Sequence, residues 1–350
     1  MKGRRIILDH IAGREAAALM VDGALDDLLI EDPETPYQGA IFRGICDRPV
    51  KGQGGMFLRL PEGGSAFLRG AKGLSPGQPL LVQVTGTAEP GKALPVTQRL
   101  LLKSRYAIVT PGAPGVNLSR RIDDEEERLR LRALAMTLWE EADVPEDTGL
   151  ILRSSTAGAE EEAVAADIGE MIALAAALAG DAQGDKPEAL TEGDGPHLYA
   201  WREWTAPDVV TEPGGFAREG VLEAAEALLR AEVPLGEGTM FVEPTRALVA
   251  VDVNTGGDTS PAAALKANLA AARALPRALR LRGLGGQVAV DFAPMSKAHR
   301  RQVEQSLRAS FRADPIETSL VGWTTGGLFE LQRKRERLPL AAILPAILAG

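Results

Sequence analysis

Residues 247–258, ALVAVDVNTGGD, and residues 285–295, GGQVAVDFAPM, decide the reading of this chain. Each is a short apolar run that ends on an aspartate, Asp252 in the first and Asp291 in the second. The stretch from Ser260-Pro261 to about Arg282 reads as one helix, with Ser260 as N-cap and Pro261 in the first helical position. Strand, crossover helix, strand is a βαβ unit, whose two strands run parallel. Parallel strands end on the same edge of a sheet. The pattern therefore predicts Asp252, Asn254 and Asp291 together at the carboxyl edge, where open α/β sheets bind ligands. Neighbouring strands lie roughly 5 Å apart, so two carboxylates there can share one divalent cation. The competing reading makes each aspartate the N-cap of the next helix. Ser260 and Ser296 are better placed for those caps. Two carboxylates left side by side repel unless a cation sits between them.

The 350 residues suffice for two or three domains with full cores. A content of 45% hydrophobic and 25% charged residues is that of an ordinary globular protein. Asp9, His10, Arg14 and Glu15 interrupt the first twenty residues, which predicts neither a signal peptide nor an anchor. No apolar run reads as approaching the roughly 20 residues of a bilayer span, so no membrane partner is expected. Cys46 is the single cysteine, so neither a disulfide nor a cysteine-based zinc site is expected, and the expected compartment is the cytoplasm. A net charge of −9 argues against nucleic acid until it is divided along the chain. Residues 38–121 carry 12 basic and 3 acidic side chains, residues 122–235 carry 8 and 27, and residues 236–350 carry 15 and 10. The basic blocks coincide with the segments that bear the candidate chemistry, which suits a polyanionic substrate.

Between residues 38 and 110 short strand-like runs alternate with Gly/Pro turns: GAIFRGI, GGMFLRL, SAFLRG, PLLVQVTGTA, ALPVTQRLLL and YAIVTP. Five or six such strands predict a small barrel, foremost an OB-fold. Beyond it, helices are expected at about 123–141, 159–178 and 221–231, a strand at 149–152 and a loop at 180–197. Within the barrel, period two puts Met56, Leu58 and Leu60 on one face and Phe57 and Arg59 on the other. Phe67 and Arg69 likewise face away from Ala66 and Leu68. A base can stack on each ring while an arginine meets phosphate. Alternatively, the two rings cover a second packed surface. Arg43, Arg48, Lys72 and Lys92 lie close by in the chain.

Taken together, these motifs resemble the catalytic region of the ribonuclease E/G family, endoribonucleases of bacterial RNA decay and rRNA processing. DVNTGGD is similar to the family's metal motif, and RLRGLGGQVAVDFAPM to the stretch around its second aspartate. SRRI (119–122), GLILRSSTAG (149–158) and GLFELQRKR (327–335) resemble further family segments in the same order. The resemblance implies an α+β and α/β multidomain protein: a split RNase H-like domain with an inserted OB-fold, then an α/β deoxyribonuclease-I-like catalytic subdomain. It divides the chain into 1–37 (first part of a reduced RNase H-like domain), 38–121 (OB-fold), 122–180 (sensor-like region), 181–235 (linker and remainder of the RNase H-like domain) and 236–350 (catalytic subdomain). It implies that Asp252 and Asp291 bind Mg2+, with Mn2+ as an alternative, that Asn254 orients the first, and that Phe57, Phe67 and Lys92 bind RNA. Arg153 matches a phosphate-binding arginine, Ser154 stands where threonine is usual, and Thr325 stands where a second phosphate-contacting arginine belongs.

The expected activity is thus metal-dependent hydrolysis of single-stranded RNA, leaving 5′-phosphate and 3′-hydroxyl ends. Arg59 and Arg69 would add charge on the barrel, and Arg280, Arg282, Lys297 and Arg300 are candidate phosphate clamps or solvated helix faces. The chain lacks the family's CPxCxG zinc link, so no zinc and a monomer or dimer, not a zinc-linked tetramer, are expected. Two other classes compete. One is an RNA-binding protein that keeps the fold without cleavage. The other is a nucleotide or phosphosugar enzyme, which has no P-loop or GxGxxG here to support it.

Overall fold

The computed structural model of the chain describes residues 3–348 apart from 51, 53, 90, 143, 145 and 146, and for 346–348 the backbone alone. It is a mixed α/β protein of two compact units, one made of residues 1–32 and 204–350, the other of residues 33–203.

The second unit begins with the barrel. Ile41–Val50 pairs antiparallel with Gly55–Arg59, which pairs antiparallel with Ser65–Arg69. Ser65–Arg69 pairs parallel with Leu94–Thr97, Leu94–Thr97 antiparallel with Pro79–Val84, and Pro79–Val84 returns to Ile41–Val50. Five strands thus close on themselves, as in an OB-fold. Met56, Leu58, Ala66, Leu68, Val82 and Val96 fill the interior. The barrel closes at Thr97 with five strands, the lower of the two counts the pattern predicts. YAIVTP, read as a sixth barrel strand, supplies Ala107–Thr110 to a separate sheet with Gly149–Leu152, Gly115–Leu118 and Leu102–Lys103. The 180–197 segment, read as a loop, contributes Glu188–Thr191 to the barrel sheet beside Ile41–Val50.

Helices Glu125–Glu141 and Glu161–Asp181 pack on that second sheet. Asp124 caps the first by accepting from the Glu127 amide, and three glutamates occupy its first turn, where the helix dipole favours negative charge. Glu161–Asp181 corrects the expectation that no apolar run nears a bilayer span. It is 21 residues long with a mean hydropathy of 1.6 over its best 18-residue window. Alanine raises that value, and Val164, Ile168, Ile172, Ala175 and Leu178 recur at helical spacing and bury in the core of the sheet.

In the first unit, Arg4–Ile11, Arg14–Val21 and Ala24–Ile30 form a meander that Asp208–Val210 extends in parallel at one side. The other sheet runs Glu232–Pro234, Thr239–Pro244, Val249–Asn254, Gly286–Asp291, Phe329–Arg333, Thr318–Trp323. Only its central pair, Val249–Asn254 with Gly286–Asp291, is parallel. The crossover helix Pro261–Leu281 starts where the pattern predicts: Ser260 accepts from the Ala263 amide and Pro261 follows. Its Ala267, Ala271, Leu275 and Leu279 pack with Val249, Val251, Val253, Val288 and Val290, and with Val303, Leu307 and Phe311 of helix Lys297–Ala313.

Candidate active site

The parallel pair sets Asp252 directly opposite Asp291 in register. Along both strands the valines bury while Asp252, Asn254 and Asp291 are exposed. Period-two alternation therefore puts the carboxylates on the sheet face away from the helices, at the ends of their strands. The Asn254 side-chain amide donates to the Asp252 carboxylate at 2.6 Å. Neither aspartate is a cap, since Ser260 and Ser296 fill those roles. Among the described residues no Lys or Arg forms an ion pair with either one. No group of three His, Cys, Asp or Glu stands ready for a metal among the described residues. The donor set on offer is two carboxylates with open coordination around them.

Arg280 and Arg282, read as phosphate clamps, are not at this edge. The crossover helix returns to the opposite end of the strands, and there both arginines are buried. Arg280 pairs with Asp314, Asp26 and Asp27, and Arg282 donates to the carbonyls of Ala278 and Arg230. Burial lowers the Arg282 pKa. Arg333 joins Asp314 at 2.8 Å, and Arg337 pairs with Asp27. No local pattern marked these arginines as buried, because a charged side chain reads as solvated until its partners are known. Lys297 and Arg300 do lie on the first turns of the helix after Asp291, with Lys297 exposed. The guanidinium of Arg300 lies over the Trp323 ring, 4.6 Å from its centre. Trp323 escaped the sequence reading. Its one signal is a large aromatic at a strand end, just before the TTGG turn at 324–327.

On the barrel, Phe57 and Phe67 are cross-strand partners. Both rings are half-buried, outside a core made by Met56, Leu58, Ala66 and Leu68. Their centroids are 5.3 Å apart, and Arg48 covers Phe57 at 4.9 Å. Gly55 leaves room for this arrangement: a Cβ there would lie 2.3 Å from the Phe67 ring. Arg59 and Arg69 are exposed on the same outward face. Lys92 is exposed and ion-paired with Glu89. Arg43 does not belong to this surface. It is buried, donates to the carbonyls of Lys186 and Asp181, and pairs with Glu188. Arg153 bonds the Ser104 carbonyl and the Glu203 carboxylate, beside exposed Ser154. Burial pushes the Glu203 pKa up, but Arg153 and Arg202 more than reverse this and hold it below the usual carboxylate range. Thr325 is exposed on its turn in the other unit.

A model of the Ribonuclease E/G family matches residues 101–212 and 209–336, which include both aspartates. The chain belongs to this family. It is 32% identical to Ribonuclease E of Nostoc sp. (strain PCC 7120) over 306 residues, covering 75% of this chain and 44% of that protein. Identity to Ribonuclease E of Synechocystis sp. (strain PCC 6803) is 30% over 363 residues, 90% of this chain and 51% of the relative. Ribonuclease G of Escherichia coli (strain K12) is 26% identical over 407 residues, 97% of this chain and 81% of the relative. The chain thus spans about half the length of the ribonuclease E relatives and most of the ribonuclease G relative.

Proposed function

We propose that this protein is a metal-dependent endoribonuclease that hydrolyses single-stranded RNA to 5′-phosphate and 3′-hydroxyl ends, in RNA processing or decay. The observation that carries the reading is the registered pair Asp252 and Asp291, exposed and without a cationic partner among the described residues. The donor set fits Mg2+, a hard cation commonly held by one or two carboxylates with water and substrate phosphate oxygens completing the shell; Mn2+ has similar preferences. When bound there, the ion would supply Lewis acidity at the phosphoryl oxygen and a more acidic water. Asp252 and Asp291 would hold it, and Asn254 fixes the Asp252 carboxylate through its amide. On the barrel, Phe57 and Phe67 would stack bases while Arg59 and Arg69 meet phosphates, a sequence-tolerant grip. Lys92 would contribute only after leaving Glu89. Arg153 and Ser154 would form a weak 5′-end contact at most, since Arg153 is already held by Glu203.

In this reading the meander of residues 4–30 with Asp208–Val210 is a reduced, split RNase H-like domain, and residues 236–350 form a deoxyribonuclease-I-like subdomain. The protein would act in the cytoplasm as a monomer or dimer, without zinc. A labelled unstructured RNA incubated with the protein in Mg2+, in Mn2+ and in EDTA tests the proposal. Cleavage with either metal and none in EDTA is expected. Tight binding without cleavage in any metal would favour the non-catalytic RNA-binding reading, and undiminished cleavage in EDTA would remove the metal from the mechanism.

A further inference from the structure

Arg300 is the charged group that the reading above leaves without a settled role. The last residue of Thr318–Trp323 ends on the same edge as Asp291, because both strands run antiparallel to Phe329–Arg333 between them. Trp323 packs against Phe292, the residue after Asp291, with ring centres 5.8 Å apart, and edge-on to Phe329 at 5.2 Å. Two aromatic neighbours thus fix the indole at the carboxyl edge, one strand removed from the Asp291 strand and on the helix-covered face of the sheet. Arg300 lies over that ring at 4.6 Å, and one of its terminal nitrogens is 3.7 Å from where a Cβ of Gly327 would stand.

A cation over an aromatic face is held in place, but the contact leaves the in-plane N–H donors open. Arg280 and Arg333 in the same unit each direct a terminal N–H at the Asp314 carboxylate. Arg300 is half-buried, and among the described residues its guanidinium has no hydrogen-bond or ion-pair partner. The first turn of its helix contains no acidic residue and begins with Lys297. A rigid, flat guanidinium with unfilled donors suits an oxyanion that it can grip by two hydrogen bonds.

We propose that Arg300, stacked on Trp323, binds an internal phosphodiester of the RNA next to the scissile one. Trp323 is the positioning residue. The inference rests on the nuclease reading of the carboxylate pair and adds a substrate-binding residue to it. A contact to a phosphate that does not react binds ground state and transition state alike, so its loss raises KM and leaves kcat unchanged.

The test measures RNA binding in EDTA across a salt series, with one oligoribonucleotide carrying either a 5′-hydroxyl or a 5′-monophosphate. It is followed by cleavage kinetics in Mg2+. R300M should lower affinity about tenfold for both RNAs and flatten the log–log salt dependence by roughly 0.7, the share of one phosphate on a single strand. R300K should retain the slope and lose part of the affinity. W323F should resemble wild type, while W323L should fall toward R300M. Thermal unfolding checks each variant, and R300Q replaces R300M if methionine disturbs folding. A folded R300M with wild-type affinity, slope and KM overturns the proposal, as does a loss confined to the 5′-monophosphate RNA. If wild type binds and cleaves RNA in those experiments, the nuclease reading stands regardless. If wild type neither binds nor cleaves, both readings fall.

Discussion

The two ends of the central sheet treat aspartate in opposite ways. At the amino end of Gly286–Asp291, Asp314 is almost wholly buried and accepts from Arg280 and Arg333, while Asp27 pairs with Arg337. At the carboxyl end, Asp252 and Asp291 stand opposite each other in register and exposed, and among the described residues only Asn254 bonds to one of them. Where cations saturate carboxylates, the group's work is done within the fold. Where carboxylates stand together without a cation, they repel each other, and a bound cation would relieve that repulsion. The same contrast separates Arg333, locked beside Asp314 with burial lowering its pKa, from Arg300, whose guanidinium among the described residues is held by a ring.

Four expectations probe that contrast. The largest effect is at the open end. D252N and D291N should each slow RNA cleavage by roughly 10³-fold or more, about 4 kcal/mol of transition-state stabilisation, with an unchanged unfolding midpoint. A time course in saturating Mg2+ with urea unfolding measures both, and a loss of stability matching the loss of rate would erase the distinction between the ends. At the closed end, D314A removes the partner that Arg333 and Arg280 share. Arg280 keeps Asp26 and Asp27, so the uncompensated buried charge is that of Arg333, and the loss should cost about 3–5 kcal/mol of stability, read from denaturant unfolding. A cost below about 1 kcal/mol would mean that the network is solvated like a surface pair.

On the barrel, F57A and F67A should each weaken RNA affinity by about 1–3 kcal/mol without unfolding the protein, because neither ring lies in its core. G55A should act in the same direction but less, since its Cβ must push the Phe67 ring aside. Equal binding by all three variants, in anisotropy titrations, would return both rings to a packing role. The smallest effect concerns the RNA end. With Arg153 engaged by Glu203 and Thr325 uncharged, 5′-monophosphate and 5′-hydroxyl forms of one RNA should be cut at rates within about tenfold, or 1.4 kcal/mol. A larger preference, in side-by-side time courses, would show that the Arg153–Glu203 pair opens for the phosphate.

Some of this was legible residue by residue and some was not. Alternation alone separated Phe57 and Arg59 from Met56 and Leu58, because a strand's two faces are written in successive letters. Barrel closure at Thr97 was not visible, since Ala107–Thr110 reads as well for a sixth barrel strand as for the sheet it joins with Gly149–Leu152. The helix Glu161–Asp181 passed unnoticed as a long apolar element because glutamates 160–162 head it and alanine carries little of the usual core signature.

By itself the sequence determined the βαβ unit and the placing of Asp252, Asn254 and Asp291 at one end of it, since strand and helix periods, Ser260-Pro261 and the handedness of the crossover leave one arrangement. Tertiary structure alone decided which charges are spent. Arg43, Arg280, Arg282 and Arg300 look alike as letters. Only the partners brought to them from 23 to 254 residues away bury the first three and leave the fourth stacked on Trp323. Ionic and cation–π contacts depend on distance in space and on desolvation, and neither is encoded in local periodicity.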